Sequence, residues 1–167
     1  AGVDWDEAYS SLFSVTTESY YGSDLPKMID NIKLIEEPGE RYRYQSGVTQ
    51  LLSFIIANAT GKSISEYASE KLWTPIGAEN DALWNLDKKD GNEKAYCCFN
   101  TNARDFARIG QLILNKGYWN GKQVVSEEYI NEATTPASWL KDGDTDNPVN
   151  FYGYQWWIMN HKGYDIK

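Results

Sequence analysis

The stretch "ERYRYQSGVTQLLSFIIANATGKS", residues 40–63, constrains this chain more than any other part of it. Val48, Leu51, Leu52, Ile55, Ile56 and Ala59 recur at the spacing of one helix face, and Gly61 follows as a left-handed cap. The pattern predicts a helix that begins where an extended segment ends. In that segment alternate side chains point to opposite faces, so Tyr42 and Tyr44 share one face and Arg41 and Arg43 the other. Ser46 then falls at the expected N-cap, its hydroxyl close to free backbone N–H groups and to the positive end of the helix.

A tyrosine at such a place is a candidate proton-transfer residue, and its requirements can be stated. Bringing a phenol from a pKa of about 10 to about 7 takes roughly 4 kcal/mol of selective support for its anion. A helix terminus supplies about 1 kcal/mol, or about 2 kcal/mol in a buried geometry. The remainder calls for a cation against the phenol oxygen. Arg43 is expected on the wrong face, and the neighbouring sequence offers no other.

The rest of the chain reads as short helices and turns. "SDLPKMIDNIK" opens on Ser23 or Asp24 as a cap, and Ser63-Ile64-Ser65-Glu66 spells a capping box. The helix it starts is expected to bury Ile64, Tyr67, Ala68 and Leu72 and to end before Pro75. "DALWNL" reads as a strand. Thr101 or Asn102 caps a helix with Phe106, Ile109 and Ile113 on one face, and "SEEYINEAT" makes another. Residues 135–150 form a Pro/Asp/Gly loop; "FYGYQWWIM" reads as a strand, "NHKG" as a turn and "YDIK" as the start of a partner strand. This gives a mostly helical unit over residues 1–150 and a strand-turn-strand start over 151–167.

Composition removes several functions. The 24 acidic against 16 basic residues, net −8, repel phosphate backbones and anionic lipid, and no apolar run reaches membrane-spanning length. The chain opens "AGVDWDEAYS" without a starting Met or an apolar leader, from which a processed or truncated N-terminus is expected. Adjacent Cys97 and Cys98 are badly placed to bond each other and have the wrong spacing for zinc, so both are expected as small buried hydrophobes. With His161 the sole histidine, His-based metal sites and Ser-His-Asp triads have little support. No cofactor or metal is implied.

Residues 38–77 resemble the tyrosine-bearing segment of serine β-lactamase-like hydrolases. That superfamily includes class C β-lactamases, DD-peptidases, related esterases and 6-aminohexanoate-dimer hydrolases. Its pattern is Pro-Gly, an aromatic residue, Tyr-x-Asn or Tyr-x-Ser, an apolar helix, Thr-Gly-Lys, then Pro-Leu-Gly-Met. Here Pro38-Gly39, Tyr42, Tyr44-Gln45-Ser46, Thr60-Gly61-Lys62 and Pro75-Ile76-Gly77 fall in that order. "CCFNTNARDFARIGQLILNKGYWNGKQVVSEEYI" resembles the family's Ala-Arg-Asp helix and its sequel, and "YGYQWW" the strand that follows.

The resemblance implies the helical part of an α+β serine hydrolase, its terminal strand pair belonging to the parent antiparallel sheet. It implies cleavage of a small amide or ester through an acyl-serine intermediate. Tyr44 takes the family's catalytic tyrosine position, and Ser46 the polar position that contacts the substrate and the catalytic lysine. Phe99 and Asn100 border the pocket by the same analogy. Ser46, where many relatives have Asn, is closer to the esterase and 6-aminohexanoate-dimer hydrolase branches. Many relatives work in the bacterial envelope.

The family's Ser-x-x-Lys nucleophile motif does not occur ahead of Tyr44, and its third sheet motif is expected beyond residue 167. On this reading the nucleophile and sheet come from the remainder of the polypeptide, and this chain alone is inert. Ser138-Trp139-Leu140-Lys141 spells Ser-x-x-Lys, but in a loop after the tyrosine. His161-Lys162-Gly163 spells the third motif, but in an expected hairpin turn. Seven Trp and twelve Tyr allow two rivals, a carbohydrate-binding or glycosidase-type domain and a non-catalytic partner-binding helical domain. Against the first, Trp73, Trp156 and Trp157 fall in core patterns.

Overall fold

The computed structural model describes residues 2–166, in which helices alternate with short strands and the longest helix covers Ser46–Thr60. Helix α1 (Val15–Tyr21) is capped by Ser14, and α2 (Leu25–Asp30) by Asp24 with Pro26 in its first turn. Strand β1 (Arg41–Tyr42) leads into α3 (Ser46–Thr60), which ends on Gly61 in the left-handed conformation, φ 68°. The Ser63–Glu66 capping box is fully formed at the head of α4 (Ile64–Ala68), and a π-helical turn (Ser69–Trp73) carries the chain to Pro75.

Strands β2 (Leu83–Trp84) and β3 (Phe99–Asn100) pair antiparallel ahead of α5 (Ala103–Leu114), whose cap is Asn102. A small hairpin, β4 (Tyr118–Trp119) with β5 (Lys122–Gln123), precedes α6 (Glu127–Ala133). Strand β6 (Lys141–Asp142) returns to pair in parallel with β1, Arg41 opposite Lys141. Last come β7 (Met159–His161) and β8 (Tyr164–Ile166), antiparallel.

The main core lies between α3 and the N-terminal segment. Val3, Trp5 and Ile29 form it, with Val48, Leu51 and Phe54 of α3 packed against them. The apolar spacing of α3 thus covers more than one face: Leu52 and Ile55 stay about half exposed. Gln50, wholly buried in the same helix, donates to the Glu93 carbonyl at 3.0 Å and accepts from the Ala95 N–H at 2.9 Å. These bonds fasten the loop before β3 to α3. A buried side-chain amide needs such partners, because leaving it unpaired costs about 1–3 kcal/mol.

Several expectations are corrected. Ser46 is the first helical residue of α3; Gln45 is the N-cap and makes no side-chain cap bond. Cys97 and Cys98 are joined in a disulfide although their Cα atoms are only 3.7 Å apart. Cys98 takes a positive φ of 66°, the turn that lets two neighbouring side chains converge, and both residues are half-buried. "FYGYQWWIM" is not one strand: Gln155 at φ 64° reverses the chain, Tyr152 pairs with Trp157, and regular pairing resumes at Met159. Ile64, Tyr67, Ala68 and Leu72 are only half-buried, and Trp157 is 50% exposed instead of core. Lys167, last residue of the expected partner strand, lies outside the described residues.

Candidate functional site

Tyr44 and Ser46 bracket the head of α3 and line the same cleft, of about 570 Å³. They also share a smaller cavity on its flank with Tyr9, Tyr96 and Cys97. Tyr44 is 43% exposed, its ring 5.5 Å from that of Trp157 and edge-on to Tyr152 at 6.2 Å. Its hydroxyl makes no hydrogen bond among the described residues. The Arg43 guanidinium is occupied elsewhere, holding Glu36 through Nε and Nη2, the latter at 2.6 Å. Arg41 pairs with Asp146 at 2.9 Å. Both arginines that line the cleft are therefore paired away from the Tyr44 phenol.

Ser46 is held by a residue the sequence did not single out. The Glu7 carboxylate accepts the Ser46 backbone N–H at 2.7 Å and the Ser46 hydroxyl at 2.5 Å. The carboxylate thus supplies the cap expected of Ser46, and the positive helix end favours it there. Tyr9 donates its hydroxyl to the same carboxylate. Burial, then this bond to Glu7, pushes the Tyr9 phenol up to about 12. The Gln45 side chain is fixed too, donating to the Val3 carbonyl at 2.8 Å and the Trp5 carbonyl at 3.2 Å.

Phe99 and Asn100 lie away from the Tyr44 cleft. Phe99 packs edge-on against Trp73, Trp84 and Phe106 and lines an apolar groove of about 500 Å³. The Asn100 amide donates to the Cys98 carbonyl at 2.7 Å. Of the loop expected to border the pocket, it is the preceding residues, Tyr96 and Cys97, that reach the cavity shared with Tyr44. Ser138 is exposed on a turn, and Lys141 turns its amine to Asp146 at 3.5 Å. His161-Lys162-Gly163 forms the β7–β8 turn, with φ 52° and 84° at its centre. Among the described residues no group of His, Cys, Asp and Glu is placed to hold a metal ion, and no helix is long and apolar enough to cross a membrane.

A Beta-lactamase family model matches residues 2–165. The chain belongs to the beta-lactamase family. Within that family, a 6-aminohexanoate-dimer hydrolase of Paenarthrobacter ureafaciens is 30% identical over 127 residues. The match takes in 72% of this chain and 32% of that protein. A solved structure from Bacillus anthracis, assigned as a 6-aminohexanoate-dimer hydrolase, superposes with TM-score 0.78 at 28% identity. It covers 97% of this chain and 45% of that one. The octameric penicillin-binding protein homologue of Pyrococcus abyssi shares the fold, with TM-score 0.57 at 22% identity over 79% of this chain and 33% of that one. This beta-lactamase-family chain therefore spans less than half the length of each of these three relatives.

Proposed function

We propose that this chain is the tyrosine-bearing part of a serine hydrolase that cleaves an amide or ester through an acyl-serine intermediate. Tyr44 is the proton-transfer partner of the nucleophile and leaving group, and Ser46 orients the substrate. The nucleophile and a cation for the Tyr44 phenol come from polypeptide outside these residues. The observation that carries the reading is the shared cleft at the head of α3, where Tyr44 and Ser46 meet and the two lining arginines are paired with Glu36 and Asp146. Residues 1–150 then form the helical part, and 151–167 begin the strands that join the parent sheet. The half-exposed Leu52 and Ile55 of an otherwise apolar helix support a covering element of that kind.

The test is Tyr44→Phe in the polypeptide that carries a Ser-x-x-Lys ahead of residue 1. Loss of a general acid–base partner predicts a fall of about 10²–10⁴ in kcat. A variant within about threefold of wild type, or the absence of any encoded Ser-x-x-Lys, would overturn the assignment.

One observation favours a second reading, carbohydrate binding. Trp139 lines the cleft at 60% exposure, and Trp157, 50% exposed, packs against the Tyr44 ring beside it. Quenching of tryptophan fluorescence by neutral oligosaccharides, abolished in Trp157→Ala, would support it in place of hydrolysis.

A further inference from the structure

We propose that the Cys97–Cys98 disulfide is a reversible thiol–disulfide exchange site on the wall of the Tyr44 cavity, open to a dithiol reductant, and that its redox state sets the shape of that cavity. The coupling to catalysis rests on the hydrolase reading; the exchange site does not.

Adjacent cysteines enclose no chain segment, so their bond does little to restrict the unfolded chain. Linkage is reciprocal: a bond that adds little to the fold is little protected by it. Both residues are half-buried, and Cys97 lines the cavity that Tyr44 and Ser46 share, so a thiolate reaches it from there. That thiolate attacks the Cys97 sulfur and forms a mixed disulfide; the Cys97–Cys98 bond breaks, and the Cys98 thiolate leaves and takes up a proton. The second thiol of the reductant gives up its proton and displaces Cys97 as a thiolate, which is protonated in turn. Both cysteines end as thiols, and the reductant ends as its own disulfide.

The backbone around the pair shows what reduction changes. Cys98 stands at φ 66°, a conformation that side-chain-bearing residues rarely take, and the ring closed through the sulfurs holds it there. At that angle its carbonyl accepts the Asn85 N–H at 3.2 Å and the Asn100 amide at 2.7 Å. The Cys97 carbonyl takes the Trp84 indole N–H at 2.8 Å. Once the ring opens, Cys98 is released to negative φ, and these carbonyls turn with it. Upstream the chain is anchored, because the Ala95 N–H donates to the buried Gln50 at 2.9 Å. The movement therefore falls between Ala95 and β3, on Tyr96 and Cys97, the residues of this loop that line the cavity beside Tyr44.

Two measurements test this. The folded 167-residue chain is held in equimolar reduced and oxidised dithiothreitol without denaturant, its free thiols are trapped with iodoacetamide, and its mass is read. Most chains are expected to carry a carbamidomethyl group on both cysteines, and to regain the disulfide when the dithiol is replaced by oxidised glutathione before trapping. A chain that stays unalkylated until urea is added, or one that does not reoxidise, overturns the exchange site. Kinetics on the nucleophile-bearing polypeptide test the coupling. Reduction is expected to lower kcat/KM at least about threefold and reoxidation to restore it, while a Cys97→Ser, Cys98→Ser double variant does not respond to the dithiol. An unchanged kcat/KM in the reduced enzyme, or an equal loss in the double variant, overturns the coupling; should that variant misfold, the wild-type cycle decides alone. If wild type hydrolyses neither amide nor ester in either state, the hydrolase reading fails and the coupling falls with it, whereas the alkylation still decides whether the pair exchanges.

Discussion

Gly47 lies flat on the indole of Trp5: a Cβ at that position would fall 2.1 Å from the Trp5 ring. The glycine is what lets α3 dock onto the N-terminal segment closely enough for Glu7 to reach Ser46. Gly47→Ala must push Trp5 out of the core or lift the helix, and overpacking of this kind costs about 1–3 kcal/mol. Urea denaturation should show that loss, although alanine is the better helix former. An unchanged midpoint would contradict the close packing.

Leu112 of α5 is almost wholly buried. Leu112→Ala removes a packed side chain and leaves a cavity, for an expected loss of about 2–5 kcal/mol. Leu114→Ala, in the same helix but exposed, is the control and should stay within about 0.5 kcal/mol of wild type.

Asp105 is buried in the first turn of α5. It accepts the Glu79 N–H at 3.0 Å, the Asn80 N–H and amide at 3.2 Å each, and the Arg108 guanidinium at 2.5 Å. The Glu79 bond, with those from Asn102 and Asn80, outweighs desolvation and holds the carboxyl at about 2. The folded value lies below the ordinary one of about 3.9. Its contribution to stability is therefore full above about pH 4 and is lost as pH falls through about 2. Asp105→Asn should be less stable than wild type at pH 7, with the gap narrowing between about pH 4 and 2. A gap constant with pH would contradict the assignment.

The disulfide between Cys97 and Cys98 closes no chain loop, because the residues are adjacent. The stabilisation of about 2–4 kcal/mol that a disulfide usually brings by restricting the unfolded chain is therefore absent here. Reduction should leave the denaturation midpoint nearly unchanged. Its effect should instead appear locally, at Tyr96 and the cavity shared with Tyr44. A large global loss of stability on reduction would contradict this.

What the sequence made legible follows the range of the interactions. The α3 helix with its Gly61 cap, the Ser63–Glu66 capping box and the Asn102 cap are local, and all stand in the structure. Glu7 was invisible because it reaches Ser46 across 39 positions from a stretch with no periodicity. Gln50 breaks the apolar pattern of α3, and a polar residue on a core face was the one signal that could have shown α3 to anchor the loop before β3. The reversal at Gln155 was missed because glutamine seldom takes positive φ, so an aromatic run read as one strand. The spacing of Ile64, Tyr67 and Leu72 marks a helix face and says nothing about what covers it, which is why that face lies half open.

The central claim is that this chain holds the tyrosine and not the nucleophile. Treating the 167-residue chain with a fluorophosphonate and reading its intact mass tests it directly. The account predicts an unmodified mass. A single adduct on a serine within these residues, Ser46 or Ser138 above all, would contradict it.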